Sequence, residues 1–525
     1  MKEMIFPRLL LPAVAQYGDA EAVIDGHYRA SWNQHLDRLS RLCHVLAGPL
    51  AVSSGDRFAV LALNGHAYLE LWHAAFMGAG IINPLNLRLA PAELAYIIED
   101  SGTEVIFVDA TFAPLVAAAR AKMDRDPLRQ VVLIGRGDVP HDVPYDFSYE
   151  TLLEAAEPQL PPEPEEEHAV VLMYTGGTTG LPKGVLIEHR AEILNIYHII
   201  MSIKGLAPET SLVQTPMFHA ASMYGILGAV TTGARTVIIP MFEPEGVMQL
   251  IEQHQVTDTV MVPTMIGLCL ASAHYRPERL ASLQLLIYGA SPMPAATLAQ
   301  LQSDLPQLSL VQGYGMTEGC SMATVLQAED HIPGSPRLAS VGKPLLGLQL
   351  SIQDDNGNEL PQGVIGEVCL RGGNLMREYW NKPEASAEAL RGGWYHSGDA
   401  GYIDQDSYVF LVDRVKDMIV TGGENVYSAE VESAISTHSA VAQVAIIGIP
   451  HDKWGEAVHA VVVLVPGASV SAAEIIAHAR EFVAGYKVPK SVDFRSEALP
   501  LSGAMKVLKR ELRDPYWQGH DKQIG

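Results

Sequence analysis

Short apolar runs recur along the chain as RFAVLAL, EVIFVDA, QVVLIGR, RTVIIP, DTVMVPT and LQLLIYGAS. Most are followed by stretches whose apolar residues return at helical spacing, such as EPEGVMQLIEQHQ after RTVIIP. Strand and helix patterns alternating in this way predict an α/β fold with mostly parallel sheets flanked by helices. Near the end, SAAEIIAHAREFVAGYKVP opens on Ser471 and Glu474, spaced as a capping box, and closes on Gly485. With AQVAIIGIP and HAVVVLVPG before it, this segment predicts a compact α+β module. The boundary is expected at DRVKD, with one domain over 1–413 and a smaller one over 414–525. The Pro- and Glu-rich stretch EPQLPPEPEEEH (157–168) reads as a solvated linker, and no internal repeat stands out.

A length of 525 residues allows two or more domains around a large core. Hydrophobic residues at 48% and charged ones at 18% fit an ordinary globular protein. No apolar run reaches the roughly 18 to 20 residues of a membrane-spanning helix, so no integral membrane segment is expected. Glu3, Pro7 and Arg8 interrupt the apolar start of the chain, which argues against a secretory leader and for a cytoplasmic protein. Cys43, Cys269, Cys320 and Cys369 lie far apart without a CxxC pair. They read as reduced, buried thiols rather than a disulfide or zinc framework. The net charge of −24 argues against nucleic acid or an anionic membrane as the main partner. A small anion remains acceptable, because a nest of backbone N–H groups and a few cations suffice to hold it.

The segment YTGGTTGLPKGV (174–185) has the composition of such a nest. Its glycines let backbone approach a ligand, its threonines add hydroxyls, and Lys183 adds charge, a combination suited to a polyphosphate. It is no Walker A loop, because Lys183 follows Pro182 and precedes Gly184, and no GxGxxG lies here either.

The loop resembles the phosphate loop of the adenylate-forming superfamily, which includes acyl-CoA synthetases, nonribosomal adenylation domains and firefly-type luciferases. Further blocks follow in that family's order over nearly the whole chain: PMFHAAS (216–222), YGASPMP (288–294), QGYGMTE (312–318), GEVCLRG (366–372), WYHSGD (394–399), DRVKDMIVTGGENVYSAEVE (413–432) and LPLSGAMKVLKRELR (499–513). The resemblance is to the acyl-CoA synthetase branch, and implies an AMP-forming acid–CoA ligase that uses ATP, Mg²⁺ and coenzyme A. It also implies a small, mobile C-terminal domain.

Carried over residue by residue, the resemblance implies a nucleotide site of Thr175, Gly176, Gly177, Thr178, Thr179, Gly180, Lys183, Gly289, Ala290, Ser291, Gly313, Tyr314, Gly315, Met316, Thr317, Asp399, Arg414 and Lys506. Tyr314 would face adenine, Thr317 would meet the α-phosphate, and Asp399 with Arg414 would hold the ribose. Glu318, a hard oxygen ligand, and Thr175 would serve Mg²⁺. Lys506 would be the catalytic lysine, with Glu318 and Thr317 beside it in that role. Lys416 matches the hinge, and Gly422 and Gly423 match the loop that meets the pantetheine of CoA. Three positions depart from the pattern: Gly177 stands for Ser, Ser397 for Thr, and Met505 for the Gly that usually precedes the lysine.

The chemistry explains these residue types. A carboxylate attacking the α-phosphorus brings two anions together, so charge must be screened and the attack held in line. No general base is needed, because the acid is already ionised at neutral pH. In the second step a thiol attacks the mixed anhydride and AMP leaves. The acyl pocket implied by the resemblance comprises His219, Ala221, Ser222, Gly289, Gly315, Ser321 and Met322. Small walls and no fixed charge favour a fatty, branched or ring-bearing acid, and no Asp near PMFHAAS offers to hold an α-amine. The alternatives are an adenylating enzyme that loads a separate carrier protein, a nucleotide-binding relative that has lost catalysis, and a luciferase-like oxygenase on the same fold. A homodimer is left open.

Overall fold

The computed structural model describes residues 2–135, 144–175, 181–291, 293–414, 419–421, 424–451, 453–501 and 507–518. Contacts divide the chain into two compact units, Met1–Gln349 with Leu370–Tyr395, and Leu350–Cys369 with His396–Gly525.

The first unit holds two large sheets. In the nine-stranded sheet, six strands run parallel in the order Ser309–Tyr314, Leu285–Gly289, Asp258–Met261, Thr210–Val213, Arg235–Ile238 and Glu21–Asp25. Antiparallel strands close both edges. In the eight-stranded sheet, Ala169–Thr175, Ile81–Pro84, Arg57–Leu61, Val105–Asp109, Gln130–Ile134 and Phe147–Ser148 run parallel, and Lys183–Glu188 and Glu378–Tyr379 extend it antiparallel. All six apolar runs read from the sequence form strands here. Val105–Asp109 is buried at every position, as a strand covered on both faces must be. The helix expected after RTVIIP spans Pro244–His254, and Glu243 caps it by accepting the N–H groups of Glu245 and Gly246.

The stretch 157–168 is exposed and irregular, but it is a strap rather than a free linker. Glu166 Oε1 accepts the N–H groups of Glu3 and Met4 at 2.7 and 3.0 Å. Arg8 pairs with Glu163 at 3.0 Å, and the Gln159 N–H reaches the Ser40 carbonyl at 3.2 Å. Its acidic residues therefore tie down the N-terminal helix Pro7–Tyr17 and the residues before it, about 160 positions earlier in the chain.

A buried charge cluster forms where helix His66–Ala74 meets helix Trp32–Ala47. Glu70, fully buried, receives Arg38 at 2.7 Å and the Tyr149 hydroxyl at 2.6 Å, and Arg38 also pairs with Glu150 at 2.9 Å. His66 stacks on Tyr28 and meets Asp25 at 2.8 Å and Glu150 at 3.6 Å. Burial alone would depress the imidazole, but its hydrogen bonds to Asp25 and Glu150 carry it from 6.5 up to about 9. A group raised on folding stabilises the fold fully below its unfolded value and loses that contribution as pH climbs through the folded one. The stability difference between wild type and His66→Gln, read from melting curves, is therefore expected to be constant below pH 6 and to shrink between pH 7 and 10.

The second unit combines a four-stranded sheet, ordered Gln349–Gln353, Gly366–Arg371, Tyr395–Ile403 and Val409–Arg414, the last two antiparallel, with a five-stranded one built on Val441–His451 and Gly455–Leu464. Helices Ser428–Ser436 and Ala472–Phe482 cover the latter through a core that includes Val431, Ile435, Ile446, Val458 and Ile475. The capping box forms as expected, Ser471 accepting from the Glu474 N–H and Glu474 accepting from the Ser471 N–H. The helix stops earlier than Gly485. Val483 turns extended, with φ −125° and ψ 154°, and packs with Ala434 and Val488, so burial of a β-branched side chain ends the helix.

All four cysteines are free and buried. Among the described residues, no helix is long and apolar enough to cross a membrane.

Candidate active site

Strands Ala169–Thr175 and Lys183–Glu188 form a hairpin in which Thr175 lies opposite Lys183. The glycine- and threonine-rich loop joins them, with Gly176, Gly177, Thr178, Thr179 and Gly180 outside the described residues. The Thr175 hydroxyl donates to the Lys183 carbonyl at 3.5 Å. Gly184 has no room for a side chain, since a Cβ would stand 2.9 Å from Leu172 and 3.0 Å from the Tyr174 ring.

Lys183 lays its ammonium 4.7 Å from the centre of the Tyr379 ring, a cation–π contact. Tyr379 is placed by backbone pairing with Val185, and its hydroxyl donates to Glu318 Oε1 at 2.9 Å. Tyr395 bonds to the same phenol. Burial first, and then the Glu318 charge, push both phenols up, so they stay protonated and able to donate. Lys183, Tyr379 and Glu318 thus link the hairpin to the YGMTE block. Sequence reasoning missed Tyr379 and Tyr395, which lie 61 residues and more from Glu318.

Glu318 follows the strand Ser309–Tyr314, which ends beside Leu285–Gly289 with Gly289 opposite Gly313. A Cβ on Gly289 would lie 2.2 Å from the Gly313 carbonyl oxygen. Backbone is therefore bare at the carboxyl ends of two parallel strands, the edge where open α/β sheets receive ligands. Ala290 adopts a left-handed φ of 68° just beyond, followed by half-buried Ser291. Gly313, Tyr314, Gly315, Met316 and Glu318 are half-exposed along this edge, and Thr317 is buried in the short turn Thr317–Gly319. Ser321 and Met322 close the reversal behind them.

His219 follows the parallel strand Thr210–Val213 and so leaves the same edge of the same sheet. Its Nδ1 accepts the Ala221 N–H at 3.1 Å, which puts the ring proton on Nε2. Asn64 accepts the Met217 N–H at 2.8 Å and Trp72 donates to the Met217 carbonyl at 3.1 Å, fixing the segment that delivers His219. Ala221 is half-buried, whereas Ser222 is fully buried with its hydroxyl on the His219 carbonyl at 2.8 Å.

In the second unit, Asp399 pairs in register with Arg414 across two antiparallel strands. The Asp399 N–H donates to Ser397 Oγ at 3.0 Å, a bond that the commoner threonine would also make. Glu367 holds the turn, accepting the Gly398 N–H at 2.9 Å while its other oxygen meets His396 Nδ1 at 2.8 Å. Cys369 Sγ lies 3.3 Å from that same nitrogen. Glu367 and Cys369 address one atom of the ring, so they orient His396 rather than relay a proton through it. These partners stood unread in GEVCLRG and WYHSGD. The Arg414 side chain, Lys416, Gly422, Gly423 and Lys506 lie outside the described residues.

A bare strand edge beside a lysine and an oriented carboxylate suits a polyphosphate. Glu318 supplies a hard oxygen at that edge and fits Mg²⁺, which binds through one or two carboxylates and keeps water ligands.

Residues 11–380 match the family described as AMP-binding enzyme, and residues 430–506 its C-terminal domain. A feruloyl-CoA synthase from Amycolatopsis sp is 37% identical over 94% of this chain and 95% of its own. The long-chain-fatty-acid–CoA ligase FadD13 of Mycobacterium tuberculosis is 32% identical over 92% of each chain. Among solved structures, the o-succinylbenzoate coenzyme A synthetase of Bacillus subtilis, in complex with ATP and magnesium ion, superposes with a TM-score of 0.83 at 27% identity, covering 96% of this chain and 98% of that one. The chain belongs to the AMP-binding enzyme family, as an acyl-CoA synthetase that works with ATP, Mg²⁺ and CoA.

Proposed function

We propose that this enzyme activates an apolar monocarboxylic acid, fatty or ring-bearing, as its acyl-adenylate and passes the acyl group to CoA. The observation that carries the reading is the bare edge at Gly289 and Gly313, bordered by Glu318 and Lys183 through Tyr379. There Tyr314 offers its ring to adenine and Thr317 its hydroxyl to the α-phosphate. Glu318 and Thr175 hold Mg²⁺, which neutralises phosphate charge when bound. The glycines and threonines of 176–180, with Ala290, Ser291 and Met316, complete the nucleotide contacts. Asp399 and Arg414 take the ribose hydroxyls. Lys506 steadies the carboxylate against the phosphate, and residues 414–525 move about Lys416 to present Gly422 and Gly423 to the thiol of CoA.

The acyl group lies against His219, Ala221, Gly289, Gly315, Ser321 and Met322, with Ser222 supporting the His219 turn. No acidic side chain stands among these to hold an amine. The relatives named for feruloyl and long-chain fatty acids support an apolar substrate. We place the enzyme in the cytoplasm, and light scattering would read whether it forms a homodimer.

ATP–pyrophosphate exchange across a panel of acids tests the substrate class, with CoA then added and thioester followed by mass. Fatty or aryl acids are expected to support exchange and α-amino acids to give none. Exchange with an amino acid alone would overturn the class. Thioester formed only on a carrier protein would favour a carrier-loading enzyme instead.

A further inference from the structure

Between Tyr314 and Ala323 the chain reverses in a tight loop, closed by the Ala323 N–H on the Tyr314 carbonyl at 2.8 Å. Glu318 sits at its tip. The loop is crowded and strained: a Cβ on Gly315 would fall 1.8 Å from the Ser321 oxygen, and Cys320 and Ser321 adopt left-handed φ values of 58° and 102°. Such a conformation persists only where neighbours over-determine it.

Those neighbours come from helix His189–Ser202. Asn195, fully buried, donates from Nδ2 to the Gly319 carbonyl at 3.3 Å and to the Met322 carbonyl at 2.8 Å, and its Oδ1 accepts the Met322 N–H at 3.5 Å. Glu192, three residues earlier on the same helix face, hydrogen-bonds Cys320. Asn374 adds a second donor to the Gly319 carbonyl at 3.2 Å. One amide thus grips the loop on both sides of Cys320 and Ser321, directly after Glu318 and at Met322.

We propose that Asn195 is a positioning residue that sets Glu318 and Met322 together, so that magnesium–nucleotide binding and acid selectivity share one support. The proposal rests on the roles given above to Glu318 and Met322. Asn374 holds only the Glu318 side of the loop.

The test measures, in the full-length enzyme, the Mg²⁺ concentration for half-maximal pyrophosphate exchange and the ratio of kcat/KM for an aryl acid against a fatty acid. Asn195→Ala is expected to raise the magnesium midpoint roughly tenfold, the weight of about one buried hydrogen bond, and to shift the acid ratio with it. Asn374→Ala is expected to raise the midpoint and leave the ratio unchanged. A purely structural amide would lower the melting temperature of Asn195→Ala and move neither quantity, which would overturn the proposal. Asn195→Ser replaces Asn195→Ala if the latter does not fold. Failure of both to fold would assign Asn195 to the fold rather than the site, and also overturn it. Glu318→Gln is the control. If it leaves the magnesium midpoint in place, the reading of Glu318 falls, and the acid ratio alone decides Asn195.

Discussion

Lys506→Ala is expected to slow acyl-adenylate formation by roughly 10² to 10³-fold, the usual weight of one preorganised electrostatic contact. It should still convert supplied acyl-adenylate and CoA to thioester. In the proposed role, Lys506 offsets charge that builds only while carboxylate meets phosphate, and that encounter is over once the mixed anhydride exists. Lys416→Pro should show the converse. Proline would fix φ at the proposed hinge and trap one orientation of residues 414–525, the adenylating one, so that exchange survives and thioester formation fails. Melting curves for both variants separate these losses from unfolding. Equal loss of both half-reactions in two folded variants would remove the support for domain alternation, although the ligase assignment would stand.

Glu318→Gln should cost about 10²-fold in pyrophosphate exchange at fixed Mg²⁺, and extra Mg²⁺ should restore part of it. The amide keeps the size of the carboxylate and an acceptor for Tyr379, but loses the charge that a hard cation requires. Tyr379→Phe isolates a smaller contribution. It keeps the ring under Lys183 and removes only the hydroxyl on Glu318. A loss of about tenfold is expected, because a hydrogen bond to a charged group contributes roughly 1.5 to 3 kcal/mol and Glu318 itself remains. A folded Glu318→Gln enzyme with an unchanged magnesium requirement would mean that the metal is held elsewhere.

Much of this architecture was legible in short windows of sequence. A buried parallel strand such as Val105–Asp109 is apolar throughout, and Ser471 with Glu474 carries its own capping geometry. The family was readable for a similar reason, since each block that carries the resemblance lies within a handful of adjacent residues. What escaped were partners far apart in the chain. Tyr379 belongs to no motif, and its hydroxyl reaches Glu318 only because Glu378–Tyr379 adds a two-residue strand beside Val185. Asn195 reads as an ordinary polar residue on an apolar helix until the loop at Gly319 is folded against it. The strap at 157–168 misled because its acidic run looks solvated, while Glu166 spends its carboxylate on the backbone of Glu3 and Met4. At Val483, side-chain burial outweighed the glycine two residues further on.

The burial of every cysteine has a consequence for an enzyme that generates mixed anhydrides. An acyl-adenylate acylates any thiolate it meets, and a reactive cysteine near the site would divert the product onto the protein itself. Cys320 stands only two residues after Glu318, yet it is enclosed, and burial followed by the neighbouring Glu192 pushes its thiol far up. Burial pushes Cys43 and Cys269 up to about 12. None of these three is a nucleophile at neutral pH, so none of them competes for the activated acyl group with a thiol that arrives from outside.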